Sequence, residues 1–239
     1  MPMWLHLLAI AMLAAGGMCA IAIALDEIRH PQHMMVMNAV WPLCALFGTV
    51  FVAAAYLAFG RPHGNSKHAD GEYDDGGRKH PFAVSVGIGT GHCGSGCALG
   101  DIVAEWLAYL VPAIAVAFGY RWFFTEKMFA VWILDYIVAF IFGIAFQYYS
   151  IVPMKKLSPR EGLIAALKAD TLSLTAWQIG MYGFMAFAQF YLFRHLLGAR
   201  LEVASVEFWF MMQLAMLVGF ITSYPANWWL IRSGIKEAM

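Results

Sequence analysis

Charge is what this sequence lacks. Only 13% of its 239 residues are Asp, Glu, Lys or Arg, about half the share carried by a soluble globular domain. The charges present cancel, fifteen of each sign, and a balanced chain offers no basic face for nucleic acid. Cysteine is scarce as well. Cys19, Cys44, Cys93 and Cys97 are too few and too scattered for a secreted disulfide scaffold. No Lys or Arg precedes the first apolar run, "MPMWLHLLAIAMLAAGGMCAIAIAL", so this run reads as a retained first helix and not as a cleaved signal. Long polar segments are limited to one, "GRPHGNSKHADGEYDDGGRKHP". Its His63, His68 and His80 with four acids have metal-binding chemistry, but the composition reads first as a flexible solvated loop at 60–80.

What fills the chain is apolar sequence, 62% of it, with a mean hydropathy of +0.66. Runs near the roughly 20 residues that cross a bilayer fall at 4–25, 36–59, 97–119, 128–152, 171–193 and 205–230. The expected fold is all-α and integral to the membrane, one polytopic domain over 1–239 with six transmembrane helices. The stretch before the third run is apolar too, and Gly-rich. It is expected to be a re-entrant or half-helix segment at about 82–96, tolerated at depth only where protein or a wet cavity covers it. With six spans, ten of the fifteen Lys and Arg fall on the side shared by both termini and the 60–80 loop, so both termini are expected to be cytoplasmic. Gly16, Ala20 and Ala24, four residues apart, read as a close-packing face of the first helix.

Several ionisable residues sit inside this apolar frame, and such residues line pathways or pair with one another. In "GTGHCGSGCALGDIVAEW", a helix starting at Cys97 puts Cys97, Asp101 and Glu105 on one face, with Tyr109 extending it. His92 and Cys93 precede it by one turn. Thiol, imidazole and two carboxylates then converge at a helix N-terminus, where the dipole favours anionic groups. His92, Cys93, Cys97, Asp101 and Glu105 are the candidate metal ligands. The plainer alternative has the carboxylates capping the backbone of the broken segment. A second cluster is "DEIRHPQHMMVMN". Pro31 suits a first helical position, and His30, His33, Met34 and Met37 form a candidate outer metal site whose thioether and imidazole groups suit Cu(I). Interface filler is the competing reading. Asp135 and Gln178 are candidate pathway residues. Gln178 and Gln213 also suit interhelical hydrogen bonds, and Met211, Met212 and Met216 make a thioether patch.

With "HPQHMMVMNAVWPL" before it and "SYPANWWLIRSGIKEAM" at the end, "GHCGSGCALGDIVAEW" resembles a bacterial integral-membrane family known only as a domain of unknown function. The resemblance implies a bacterial inner (cytoplasmic) membrane location and no assigned activity. Locally, residues 92–97 are similar to the "HCxGMCG" signature of sulfite and metal exporter-like proteins of the lysine-exporter superfamily. That similarity implies a broken helix near a transport or metal site.

The expected function is binding and movement of a soft transition-metal ion, copper first, with Asp101 and Glu105 as further ligands or proton carriers. This makes a transporter in preference to an enzyme. The alternatives are a membrane thiol–disulfide oxidoreductase using Cys93 and Cys97, and an anion or small-solute transporter with a half-helix anion site. The expected partners are the lipid bilayer and a metal ion, with a homo-oligomer as a further option.

Overall fold

The structure is a computed structural model that describes residues 1–32, 34–62 and 80–236. His33, His63, His68 and most of the expected 60–80 loop lie outside the described residues. Within them the chain forms α1 (Met3–Arg29), α2 (Met37–Ala55, extended by a wider helical turn, Tyr56–Gly60), α3 (Phe82–Leu110), α4 (Pro112–Ala117), α5 (Lys127–Lys155), α6 (Pro159–Ala186, continued by a wide helical stretch, Phe187–Leu196) and α7 (Val206–Arg232). The all-helical, membrane-type fold agrees with the sequence reading. By length and apolar composition, four segments among the described residues suffice to cross a bilayer: Met3–Arg29, Met37–Gly60, Lys127–Pro153 and Val206–Arg232. Six were expected. The other two candidates, α3 and α6, are long but carry buried polar side chains in place of a fully apolar window.

The segment 82–96 is no half-helix. It is the first half of α3, which runs unbroken for 29 residues through the Gly-rich motif. The glycines serve close packing rather than a break. A Cβ on Gly94 would collide with the Trp177 ring. One on Gly96 would lie 2.8 Å from the backbone of Gly143, and one on Gly100 2.5 Å from that of Ala139. So α3 lies nearly backbone-to-backbone on α5. The broken helix implied by the exporter-like signature is absent for the same reason. The helix ends at Leu110, ahead of Pro112, which disfavours helical geometry in the residue before it.

The element that folds back on itself is α2. A straight helix over Met37–Gly60 would be about 36 Å long. Yet Gly60 abuts the Trp41 ring, and the Tyr56 and Trp41 rings meet edge to face at 5.6 Å. The chain reverses at Thr49, whose φ of 47° and ψ of −128° are non-helical. The tip is pinned at depth, where Gln213 Nε2 donates to Leu46 O at 2.6 Å and to Met12 O at 3.3 Å. Gly16 lets α1 approach that tip, a Cβ there lying 2.5 Å from Leu46 O. The packing role read for Gly16 and the hydrogen-bond role read for Gln213 both hold.

One consequence is topological. At one end of the bundle, His6 bonds Glu207 at 2.7 Å, Lys127 Nζ donates to Ala108 O at 3.0 Å, and Arg194 pairs with Glu126 at 2.9 Å. At the other, Arg61 pairs with Asp26, Tyr224 OH donates to Ala83 O, and the Phe82 and Trp228 rings meet at 4.7 Å. The helices α1, α3, α5, α6 and α7 run between these ends, while α2 leaves and returns to the second. The N-terminal helix therefore starts at the His6 end and the chain reaches Lys236 at the opposite one. The doubling back of α2 is what puts these two positions at opposite ends of the helical bundle.

Candidate functional site

Because α3 is continuous, Cys93, Cys97, Asp101 and Glu105 form a ladder with one rung per turn. The ladder extends about 18 Å along the axis and is buried throughout: Cys93 and Cys97 are 0% exposed, Asp101 1% and Glu105 6%. Two rungs, Cys93 and Asp101, meet polar groups from neighbouring elements, while Cys97 packs in the apolar core. Cys93 Sγ–H donates to Asp170 Oδ1 and lies 2.9 Å from Ser173 Oγ, both on α6. Lys236 Nζ donates to Cys93 Sγ at 2.9 Å from beyond α7. Asp101 faces Asp135 of α5 within hydrogen-bonding reach. Asp135 Oδ2 in turn accepts from Tyr182 OH of α6 at 2.7 Å. Two carboxylates are acceptors only, so the Asp101–Asp135 contact is a bond only when one proton sits between them. Otherwise both Asp101 oxygens and Asp135 Oδ1 are buried without a partner, a costly state in an apolar medium.

Asp101 also lines a cavity of about 390 Å³ between α1, the α2 tip, α3 and α7. Met212, Met216 and Gln213 share that lining, as do Trp106 and Trp209, whose rings stack at 6.0 Å.

The sequence-derived candidates are therefore divided. Cys93, Cys97, Asp101 and Glu105 share a face as expected. His92 does not join them; its Nε2 bonds Ser150 Oγ of α5 at 2.9 Å, about 100° around the helix from Cys93. Among the described residues, no three His, Cys, Asp or Glu side chains converge around a point that could hold a metal ion. The five groups are strung along a helix and do not form a cage. Asp135 sits in the ladder. Gln178 is buried on α6, with neither amide atom partnered among the described residues, so the interhelical hydrogen bond read for it is not seen there. Of the outer set, the described members His30, Met34 and Met37 have separate surroundings. His30 Nδ1 lies 3.2 Å from Asp26 Oδ1, Met37 lines an apolar cavity of about 350 Å³ beside Trp41, Met34 packs half-buried against the core, and His33 lies outside the described residues.

Asp170, Ser173, Tyr182, Asn227 and Lys236 belong to the site but were not singled out from the sequence. Asp170 falls just before the apolar run at 171–193, and Lys236 beyond the one at 205–230. The available signal was Gly234 two residues before Lys236, a position where the chain can turn.

A family model described as a domain of unknown function, DUF4396, matches residues 84–236, more than half of the chain. The chain belongs to that family. The DUF4396 region begins just inside α3 and reaches Lys236, so every ladder residue and every ladder partner lies within it, while α1 and the α2 hairpin lie outside. No curated protein and no solved structure matches the chain.

Proposed function

We propose that this protein moves a soft monovalent metal ion, copper first, across a bacterial inner membrane, with proton transfer among the ladder carboxyls. The observation that carries the reading is the ladder itself. Ionisable side chains buried at membrane depth are costly and line ion pathways or proton relays, and this one threads thiols and carboxyls in single file. Rungs about 6 Å apart suit passage better than storage. An ion must bind well enough to enter and weakly enough to leave, which a closed chelate would prevent. Cys93 and Cys97 supply soft ligands, and Met212 and Met216 add thioethers beside Asp101. The Asp101–Asp135 pair is the natural proton reservoir, because a cation arriving at Asp101 competes with the proton between them. Eight Lys and Arg among the described residues lie toward the Lys236 end against four toward the His6 end. By the positive-inside rule, the Lys236 end then faces the cytoplasm and the N-terminus faces out.

The thiol–disulfide alternative is weaker on geometry. Cys93 and Cys97 are one turn apart on a helix, with Cβ atoms about 5–6 Å apart, whereas a disulfide needs about 3.5–4.5 Å. Closing it would unwind α3 where it packs tightest. Anion transport is disfavoured by the acidic ladder.

The test is Ag(I) binding, as a redox-inert stand-in for Cu(I), measured across pH by equilibrium dialysis. Wild type is expected to bind with pH-dependent affinity. Asp101→Asn with Glu105→Gln is expected to lose that dependence while Cys93 and Cys97 remain available to alkylation after unfolding. An unchanged pH dependence would remove the carboxyls from the mechanism.

A further inference from the structure

The protein carries its own cation inside the ladder. Lys236 lies four residues beyond α7, and Gly234, with a left-handed φ of 73°, turns the chain back. Lys236 N donates to Leu230 O at 3.2 Å. The side chain then enters the bundle and is 2% exposed. Its ammonium meets Asn227 Oδ1 at 2.8 Å, Cys93 Sγ at 2.9 Å, Gly89 O at 3.3 Å and Asp170 Oδ1 at 3.5 Å. These acceptors come from α3, α6 and α7 and are themselves braced. Asn227 Nδ2 donates to Ser223 Oγ at 3.0 Å, and Ser223 Oγ donates to Ser173 O at 2.7 Å. Asp170 Oδ2, fully buried, has no partner among the described residues. An ammonium has three protons to donate, yet four acceptors surround it.

We infer that Cys93, Asp170, Asn227 and the Gly89 carbonyl form a binding site for a soft monovalent metal ion, and that the Lys236 ammonium fills this site until the ion displaces it. The choice of ion rests on the proposed function; the site rests on its own geometry. Exchanging one +1 charge for another leaves the buried charge unchanged and avoids the cost of an uncompensated ion. A divalent ion would add a charge. Sulfur in the sphere selects a soft ion. As the ion bonds to Cys93 Sγ, the S–H bond breaks and its proton passes to Asp170 Oδ1, which already accepts it in a hydrogen bond. Before the exchange the thiol, carboxylate and ammonium sum to zero; afterwards the metal thiolate and the carboxylic acid do too. Cys97, one turn on, is the next thiol.

Ag(I) dialysis on full-length protein in detergent tests this. Lys236→Leu is expected to bind Ag(I) at least about tenfold more tightly than wild type, because the competing cation is gone and no new ligand is added. Lys236→Arg keeps the charge and is expected to show no gain. Adding Cys93→Ser to Lys236→Leu is expected to abolish the gain. Should Lys236→Leu not fold, Lys236→Gln, which retains a hydrogen-bond donor, carries the same expectation. No gain in the folded variant, or a gain that survives Cys93→Ser, overturns the inference. Wild-type binding with its Asp101/Glu105-dependent pH response would still stand in that case, so the two failures are separable.

Discussion

Two regions of this molecule contain the same kinds of side chain and use them in opposite ways. Where α1 ends and α2 returns, Asp26 accepts from Arg61 Nη2 at 2.9 Å, Arg61 Nε at 3.0 Å and Tyr56 OH at 2.8 Å. His30 closes on the same carboxylate, and Gln32 Nε2 ties Glu27 to Gly60 O. That cluster is a clasp holding the hairpin to α1 at the rim of the bundle. Along α3 the carboxyls sit deeper, and Asp101, Asp135 and Asp170 each keep an oxygen that no protein donor reaches. Residue type alone does not mark function in an apolar protein. What separates the two regions is how far the neighbours complete the polar groups: in the clasp Asp26 is fully engaged and only Glu27 Oε2 lacks a partner among the described residues, whereas Asp101, Asp135 and Asp170 together leave four such oxygens able to take a proton or an ion.

Substitutions can sharpen or break that contrast. The largest effect is expected from the glycines under the ladder. Gly100→Ala drives a methyl into the α5 backbone at Ala139, which cannot rotate away, so stability is expected to fall by about 1–3 kcal/mol or more. Gly17→Ala, on α1 with no atom within 4 Å of the new methyl, is the control and is expected to be neutral or slightly stabilising. Thermal unfolding in detergent reads both. Equal losses would mean that α3 and α5 are not in close contact.

The clasp is expected to come next. Asp26→Asn removes a bidentate ion pair that is only partly exposed, so it is expected to cost about 1–2 kcal/mol while leaving Ag(I) binding unchanged. A change in binding would make the clasp part of the site. His30→Leu is expected to move neither stability nor binding by more than about 0.5 kcal/mol. A larger effect on binding would restore the outer metal site.

How much of this was legible beforehand follows the same division. The apolar runs fixed an all-helical membrane chain, and the four-residue spacing of Cys97, Asp101 and Glu105 put them on one face, since helix periodicity is local. The role of the glycines was not legible. Gly91, Gly94, Gly96 and Gly100 look like a break, and only Cys44, Trp177, Gly143 and Ala139 across the interfaces turn them into contact points. The reversal at Thr49 was hidden inside an apolar run of spanning length, because length and hydropathy do not report a backbone dihedral. Lys236 and Asp170, 66 residues apart, meet only through the tertiary fold.

Flux through sealed vesicles is the most direct trial of the ladder as an ion path. Protein reconstituted in liposomes holding a pH-sensitive dye is given an inward Ag(I) gradient. Wild type is expected to take up Ag(I) with an accompanying change of internal pH. Asp135→Asn, which removes a partner from the shared proton at Asp101, is expected to abolish the pH change, and Asp26→Asn to leave it intact. Ag(I) uptake with no pH change in wild type, or the same change in Asp135→Asn, would contradict a proton-linked path along α3.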